Sequence, residues 1–241
     1  MEQQTQFPKL LFIYLSHSPS VQAVLWLLEE LEIEYDIKKF QRSVEKLAEG
    51  LEDTHVQGHA PQLILPDGRV ITQMSACMLY LIRTYDKDQR FHRPGIDDPV
   101  REDSLVNLAT ADIIPRVGTK HLFVVVGAKA PFFLRPLINM MGSALNKAFL
   151  DKEVENTLHV IEMELEGRDW VMGGDAPSRA DIALKVALDL AIHPGMVDLN
   201  KWPKVKAWRT RCEERPAWKS SIAKGDGYQL DWMVRYRESK Q

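Results

Sequence analysis

Between Pro61 and Ile71 the chain reads PQLILPDGRVI, two short apolar runs joined across Asp67-Gly68. This composition predicts a tight β-hairpin, because such a turn needs positive φ, which glycine adopts freely and aspartate tolerates. A proline heading the first run removes a backbone donor where the strand begins, so the chain must turn before it pairs. What precedes the hairpin limits what it can pair with. KLLFIYL (Lys9 to Leu15) is an apolar run of strand length, and after SHSPS comes VQAVLWLLEELEI, with Val21, Val24, Leu25 and Leu28 on one helical face. EYDIKKF (Glu34 to Phe40) predicts a second strand with Tyr35 and Ile37 on one side, and a helix over about Ser75 to Tyr85 follows the hairpin.

The order β-α-β then β-β-α, with a proline opening the third strand, is a thioredoxin-like arrangement. The rest of the chain reads as helix, at about 100–126, 136–166, 178–193, 203–213 and 216–223. The expected organisation is a thioredoxin-like domain over 1–85, a polar Pro-containing linker over 86–99 and an all-helical domain over 100–241. The fold class is therefore an α/β thioredoxin-like N-terminal domain plus an all-α C-terminal helical domain. The sharpest boundary is DAPSRADIAL, where Ser178 and Asp181 have the S-x-x-D spacing of a reciprocal helix cap.

The most apolar segment, HLFVVVGAKAPFFLRPLINMMG, is interrupted by Lys129, Pro131, Arg135 and Pro136, and it predicts a buried helix, an irregular connection and a second buried helix. No uncharged run reaches the ~18 residues a membrane span needs. Across the 241 residues, 45% are hydrophobic and 27% charged, an ordinary globular balance. A net charge of -3 gives no footprint for nucleic acid and none for a membrane surface, so neither is expected as a partner. The two cysteines, Cys77 and Cys212, lie far apart without metal-site spacing; no metal is expected, and this usage fits a reducing cytoplasmic location. The first residues, MEQQTQFPK, lack the basic and apolar regions of a secretory signal.

Four segments in the same order resemble the cytosolic glutathione transferases, fungal and bacterial branch. LWLLEELEIEYDIKKFQR is similar to the family's first helix and second strand. GHAPQLILPDGRVITQMSA is similar to its G-K-x-P-x-L segment, hairpin and E-S helix start. WVMGGDAPSRADIAL resembles its G-D-x-P-S-x-A-D cap, and WPKVKAWRTRCEERPAWKSSIAKGDGY its terminal segment. The resemblance implies glutathione as cosubstrate or catalytic cofactor, an apolar electrophilic small molecule as second substrate, and a homodimer. It also implies conjugation, or reversible thiolate addition that isomerises a double bond, as in natural-product-pathway members. The alternative is a non-catalytic binding or assembly module with the same shape.

The resemblance further implies site residues. Pro61 would be cis, aiming the backbone of Ala60 at the cysteine moiety of glutathione, which could pair there like an added strand. The amides opening the next helix would face an incoming carboxylate. His59 stands at the family's lysine position, Gln73 at its acidic or amide position, and Met74 where serine is usual, with Ser75 one residue on. The thiolate, the reactive form of the thiol, would be stabilised from the loop YLSHSPSVQ. Alignment on serine-type members places Ser18 at the activating position, and alignment on tyrosine-type members places Tyr14 there; Ser16 and Ser20 lie in the same loop, and capping of the following helix is the plain alternative for Ser18. Ile113, Val117 and His121, and Phe132 and Phe133 beyond them, would line the second-substrate pocket, core packing being the alternative for each. SHSPS offers no cysteine for thiol-disulfide chemistry.

Overall fold

A computed structural model describes residues 9–41, 48–91, 93, 97–192 and 197–230. The chain forms two compact units, one taking in residues up to Asp97 together with Cys212–Tyr228, the other running from Asp98 to Arg211.

In the first unit, strand β1 (Leu10–Leu15), helix α1 (Pro19–Glu30), strand β2 (Tyr35–Phe40), strands β3 (Gln62–Ile64) and β4 (Val70–Thr72), and helix α2 (Met74–Tyr85) follow in order. The sheet order is β2-β1-β3-β4, with β1 parallel to β2 and the other neighbours antiparallel. This is the thioredoxin-like arrangement that the sequence predicts. β1 is a central strand buried on both sides, which is why it reads as a continuous apolar run rather than an alternating one. β2 lies at the edge and exposes Asp36, Lys38 and Lys39, charges that blunt an open strand edge. Helices α1 and α2 pack against each other, and Val21, Val24, Leu25 and Leu28 of α1 are fully buried.

The first unit also contains a segment from the far end of the sequence. Helix α9 (Pro216–Lys224) packs on α1, with Trp26 and Trp218 meeting edge-on at 5.1 Å. Gln22 donates to Ser221 Oγ at 2.7 Å, Lys224 Nζ donates to Glu29 at 2.7 Å, and Arg215 grips the buried Glu30 carboxylate with two donors. Residues 212–228, expected with the helical domain, thus belong with the thioredoxin-like one.

The second unit carries helices α3 (Pro99–Asn107), α4 (Ile114–Lys129), α5 (Arg135–Leu145), α6 (Asp151–Glu164), α7 (Arg179–Ile192) and, as far as Arg211, α8 (Pro203–Glu214). π-helical turns at Leu108–Ile113 and Asn146–Leu150 join α3 to α4 and α5 to α6. Almost every residue of α7 is buried, as expected of a helix apolar around most of its circumference. Its start is fixed by the predicted cap: Ser178 Oγ donates to Asp181 Oδ2 at 2.7 Å, and the Ser178 amide does so at 2.8 Å. Asp181 also accepts from the Val171 amide and the Trp208 indole, so one carboxylate holds the loop before α7 and the helix α8 after it.

The segment His121–Gly142 departs from expectation. It forms helix, connection and helix as its prolines dictate, but α4 is buried only along the side that carries Val117 and His121, and α5 is largely exposed. Gly142 is the buried position of α5, and Leu122, Phe132, Phe133, Leu137, Met140 and Met141 are exposed. The two helices meet through glycine: a Cβ on Gly127 would sit 2.7 Å from Asn139 Oδ1, and one on Gly142 would sit 2.9 Å from Phe123 Cβ. Close approach at these notches lets a thin hairpin hold together while its larger apolar side chains point elsewhere.

Candidate functional site

Strand register brings the expected cradle residues to one end of the first unit's sheet. Ile13 pairs with Gln62 and Gln62 with Thr72, forming one row across β1, β3 and β4. Immediately beyond that row, β1 runs into the 16–18 loop, β3 is preceded by Pro61, and β4 runs into the start of α2. The Ala60–Pro61 peptide bond is cis, as the family resemblance implies.

Gln62, which sequence reasoning passed over, holds the segment leading into Pro61. Its buried amide nitrogen donates to Thr54 Oγ1 at 2.9 Å and to the His59 carbonyl at 2.7 Å. The available signal was a polar residue opening an otherwise apolar strand. The His59 side chain is exposed, and Ala60 and Ser75 are half-buried.

Ser18 occupies the N-cap of α1 with extended backbone angles, φ -105° and ψ 118°, but its hydroxyl makes no capping hydrogen bond. An N-cap serine ordinarily spends its oxygen on an amide of the first helical turn. Pro19 at the first helical position does not account for this, since Asp98 caps α3 across Pro99 by accepting from the Val100 and Arg101 amides. Ser18 is 7% exposed, a small polar opening in a buried setting. Ser16 is fully buried, its amide donating to the Phe40 carbonyl at 2.9 Å, and Ser20 lies within the first turn of α1.

Tyr14, the alternative hydroxyl, is committed elsewhere. Its phenol is buried and donates to the Gly225 carbonyl, and burial, with the Asp226 carboxylate adding to it, pushes its pKa well above the usual phenol range. Ionisation of Tyr14 near neutral pH is strongly disfavoured, and its proton already has an acceptor.

At the α2 end, Gln73 is the N-cap and its side chain makes no capping bond. Its φ is 72° with ψ 133°, and His17 beside Ser18 has φ 55°. Non-glycine residues in this region cost about 1–3 kcal/mol each and persist where surrounding structure over-determines them, a pattern that clusters at binding sites. Gln73 is exposed, whereas Met74 is buried, so the methionine is a packing residue of α2. The opening amides of α2 have no side-chain cap, which leaves donors and the positive end of the helix dipole for an anion.

Cys77, on the same helix, is not a rival nucleophile. Burial pushes its thiol up to about 12, against the pull of backbone hydrogen bonds.

In the second unit, Ile113, Val117 and His121 recur every fourth residue along one side of the π turn and α4, and all three are buried. For Ile113 and Val117 burial among apolar neighbours is what core packing requires. His121 is different: it is 4% exposed, and among the described residues neither ring nitrogen has a hydrogen-bond partner. Burial lowers its pKa and the neighbouring Lys120 lowers it further, so the ring is neutral at pH 7, with one nitrogen able to donate and the other to accept. Phe132 and Phe133 are 81% and 66% exposed.

The fold has counterparts among known proteins. Residues 17–84 match the family model for the glutathione S-transferase N-terminal domain, and residues 130–216 match the one for the glutathione S-transferase C-terminal domain. Glutathione S-transferase 3 of Schizosaccharomyces pombe is 20% identical over 204 residues, spanning 85% of this chain and 83% of the relative. Among solved structures, a glutathione S-transferase from Actinobacillus pleuropneumoniae superposes with a TM-score of 0.71 at 23% identity, covering 94% of this chain and 96% of that one. Ure2p5 from Phanerochaete chrysosporium, cocrystallised with 1-(S-glutathionyl)-2,4-dinitrobenzene, gives 0.70 at 22% identity over 90% of this chain and 94% of its own. With both domain models matched in order and the thioredoxin-like and helical units in place, the chain belongs to the glutathione S-transferase family.

Proposed function

We propose that the first unit binds glutathione and holds its sulfur as the thiolate, which adds to an electrophilic, largely apolar small molecule. The tripeptide's cysteine moiety lies along the Ala60 backbone at cis-Pro61, and its γ-glutamyl carboxylate meets the uncapped amides at the start of α2. Gln73, exposed at that helix start, reaches the γ-glutamyl ammonium, and Ser75 supplies a hydroxyl that Met74 lacks. His59, exposed on the loop, faces the glycine carboxylate. The thiol proton leaves to solvent, and the Ser18 hydroxyl donates to the sulfur anion that remains.

The observation that carries this reading is the uncommitted hydroxyl of Ser18: it stands at a helix N-cap without capping, at the sheet end where Pro61 and the α2 amides converge. Tyr14 has no such freedom.

Attack by the thiolate on an electrophilic carbon forms an S–C bond, and departure of a leaving group completes conjugation. With a conjugated enone or polyene, the same addition turns a double bond into a rotatable single bond; elimination then restores the double bond in the other geometry and returns glutathione. Family membership supports the conjugation reading at the level of reaction class. Ure2p5 with a bound glutathionyl-dinitrobenzene supplies the probe.

Incubation with glutathione and 1-chloro-2,4-dinitrobenzene, followed by mass measurement, tests the proposal. An enzyme-dependent rise of the glutathionyl product is expected. Product formation no faster than the uncatalysed rate, together with no glutathione binding at high millimolar ligand, would leave the non-catalytic module as the reading. Isomerisation is distinguished by a product of unchanged mass from an enone or polyene with no net loss of glutathione.

A further inference from the structure

We infer that Gln62 is a positioning residue for glutathione: by holding the His59 carbonyl, its side-chain amide aims the Ala60 N–H at the cysteinyl carbonyl of the tripeptide. This role rests on the reading above in which the cysteine moiety lies along the Ala60 backbone. Gln62 follows cis-Pro61, opens β3 and is fully buried, a place where an apolar side chain would pack without needing partners. Its Oε1 has no hydrogen-bond partner among the described residues, so the amide does not complete a closed polar network. A buried acceptor left empty is unfavourable and calls for a reason.

The reason lies on the nitrogen. Nε2 uses both of its hydrogens, one on the His59 carbonyl at 2.7 Å and one on Thr54 Oγ1 at 2.9 Å. The Thr54 hydroxyl gives its own proton to the Leu51 carbonyl at 2.6 Å, so toward Gln62 it can only accept. Both partners therefore demand a donor, and the reversed amide would set its oxygen against the His59 oxygen. The fork has one orientation.

Residues 51–60 belong to no helix or strand, and the turns among them, such as the Gly58 amide to the His55 carbonyl at 2.8 Å, stop short of His59. Gln62 fixes the next peptide. The His59–Ala60 bond is trans, so its N–H points opposite to its C=O. With the carbonyl turned in toward the buried Gln62, the Ala60 amide is turned away from it. Among the described loop hydrogen bonds, none is donated by that amide. A donor already held in place loses little freedom when an extended peptide pairs with it, whereas a peptide plane free to rotate must first be ordered.

The test reads the amide itself, in the full chain. His59-Ala60 is the only His-Ala step in the sequence, so carbonyl-labelled histidine combined with nitrogen-labelled alanine leaves one selected amide in the nuclear magnetic resonance spectrum. On addition of glutathione the Ala60 N–H resonance of the wild type should move downfield, as a proton entering a hydrogen bond does. Gln62→Met keeps the length of the side chain and removes both donors. By calorimetry it should bind glutathione about fivefold more weakly, which is what one well-aimed hydrogen bond contributes. Its KM for glutathione should rise by a similar factor with kcat within about twofold, whereas a purely structural role would lower the melting temperature and leave affinity per folded molecule alone. Thr54→Val, at a half-buried site, frees the other limb of the fork and should weaken glutathione binding about twofold. A wild type that binds glutathione with no shift of the Ala60 resonance, or either variant binding it as tightly as the wild type, would overturn the role of Gln62 while leaving glutathione binding intact. A wild type that does not bind glutathione at all would overturn the glutathione reading, and the role of Gln62 with it.

Discussion

The Tyr14 hydroxyl donates to the carbonyl of Gly225 across 211 residues of sequence, tying the central strand of the thioredoxin-like sheet to the residue that ends α9. A tyrosine at the end of β1 is therefore a structural clasp, and the space opposite it is tight. A Cβ on Gly225 would lie 2.7 Å from the Tyr14 oxygen. Tyr14→Phe should cost about 1 kcal/mol of stability by leaving the Gly225 carbonyl without its donor. Gly225→Ala should cost about 1–3 kcal/mol through overpacking. Urea denaturation followed by fluorescence measures both, and for Tyr14→Phe the rate of thiol addition per folded molecule should stay within about threefold of wild type.

Asp181 concentrates four donors on one carboxylate: the Ser178 hydroxyl and amide, the Val171 amide and the Trp208 indole. Complete burial raises its pKa despite those donors, so the pocket depends on the full set to hold the carboxyl group. Asp181→Ala would strand all four in a dry setting and should cost about 3–5 kcal/mol, the upper range for a buried network. Ser178→Ala removes one of the four and the reciprocal cap, for about 1 kcal/mol. The comparison is made by the denaturation midpoints of the two variants; equal losses would contradict the network account.

Much of this architecture was legible because its determinants are local. Asp67-Gly68 specifies the hairpin within four residues, and Ser178 with Asp181 specifies the start of α7 within the same span. Tyr14 with Gly225 leaves no such mark, since either residue alone is unremarkable and their pairing exists only once α9 has returned to the first unit. Sequence pattern also misjudged His121–Gly142. An apolar helix-turn-helix reads as core, but periodicity reports which side chains share a face and not whether anything covers it. Of the candidate site, the placement of Pro61 and the α2 start could be read from the motif. The commitment of Tyr14, the burial of Met74 and the anchoring by Gln62 could not, because each depends on the direction of a side chain.

His121 supplies a pH dependence. Its imidazole has a pKa lowered from 6.5 by burial and by Lys120. The unfolded chain takes up this proton near 6.5, the folded chain only at lower pH, so below 6.5 the unfolded state holds more protons. The contribution to stability is therefore complete above about pH 6.5 and declines as pH falls from there toward the folded value. His121→Leu should flatten that decline, and at pH 7 it should be neutral or stabilising by about 1 kcal/mol, because an unpartnered polar ring is replaced by an apolar side chain. Melting temperatures of both proteins across pH 5 to 8 check this, and parallel curves would contradict it.

The central claim, that Ser18 holds the glutathione sulfur as an anion, is tested most directly by ultraviolet titration of the bound thiol in wild type and in Ser18→Ala. In the wild type the bound thiol should ionise roughly two pH units below the value of about 8.5 for an ordinary cysteine thiol. In Ser18→Ala it should move back up by about one unit or more, since each unit corresponds to about 1.4 kcal/mol of stabilisation of the anion. Glutathione affinity for the neutral thiol should change little. A wild-type thiol that ionises no lower when bound than when free, or a lowered value that Ser18→Ala leaves unchanged, would contradict the account.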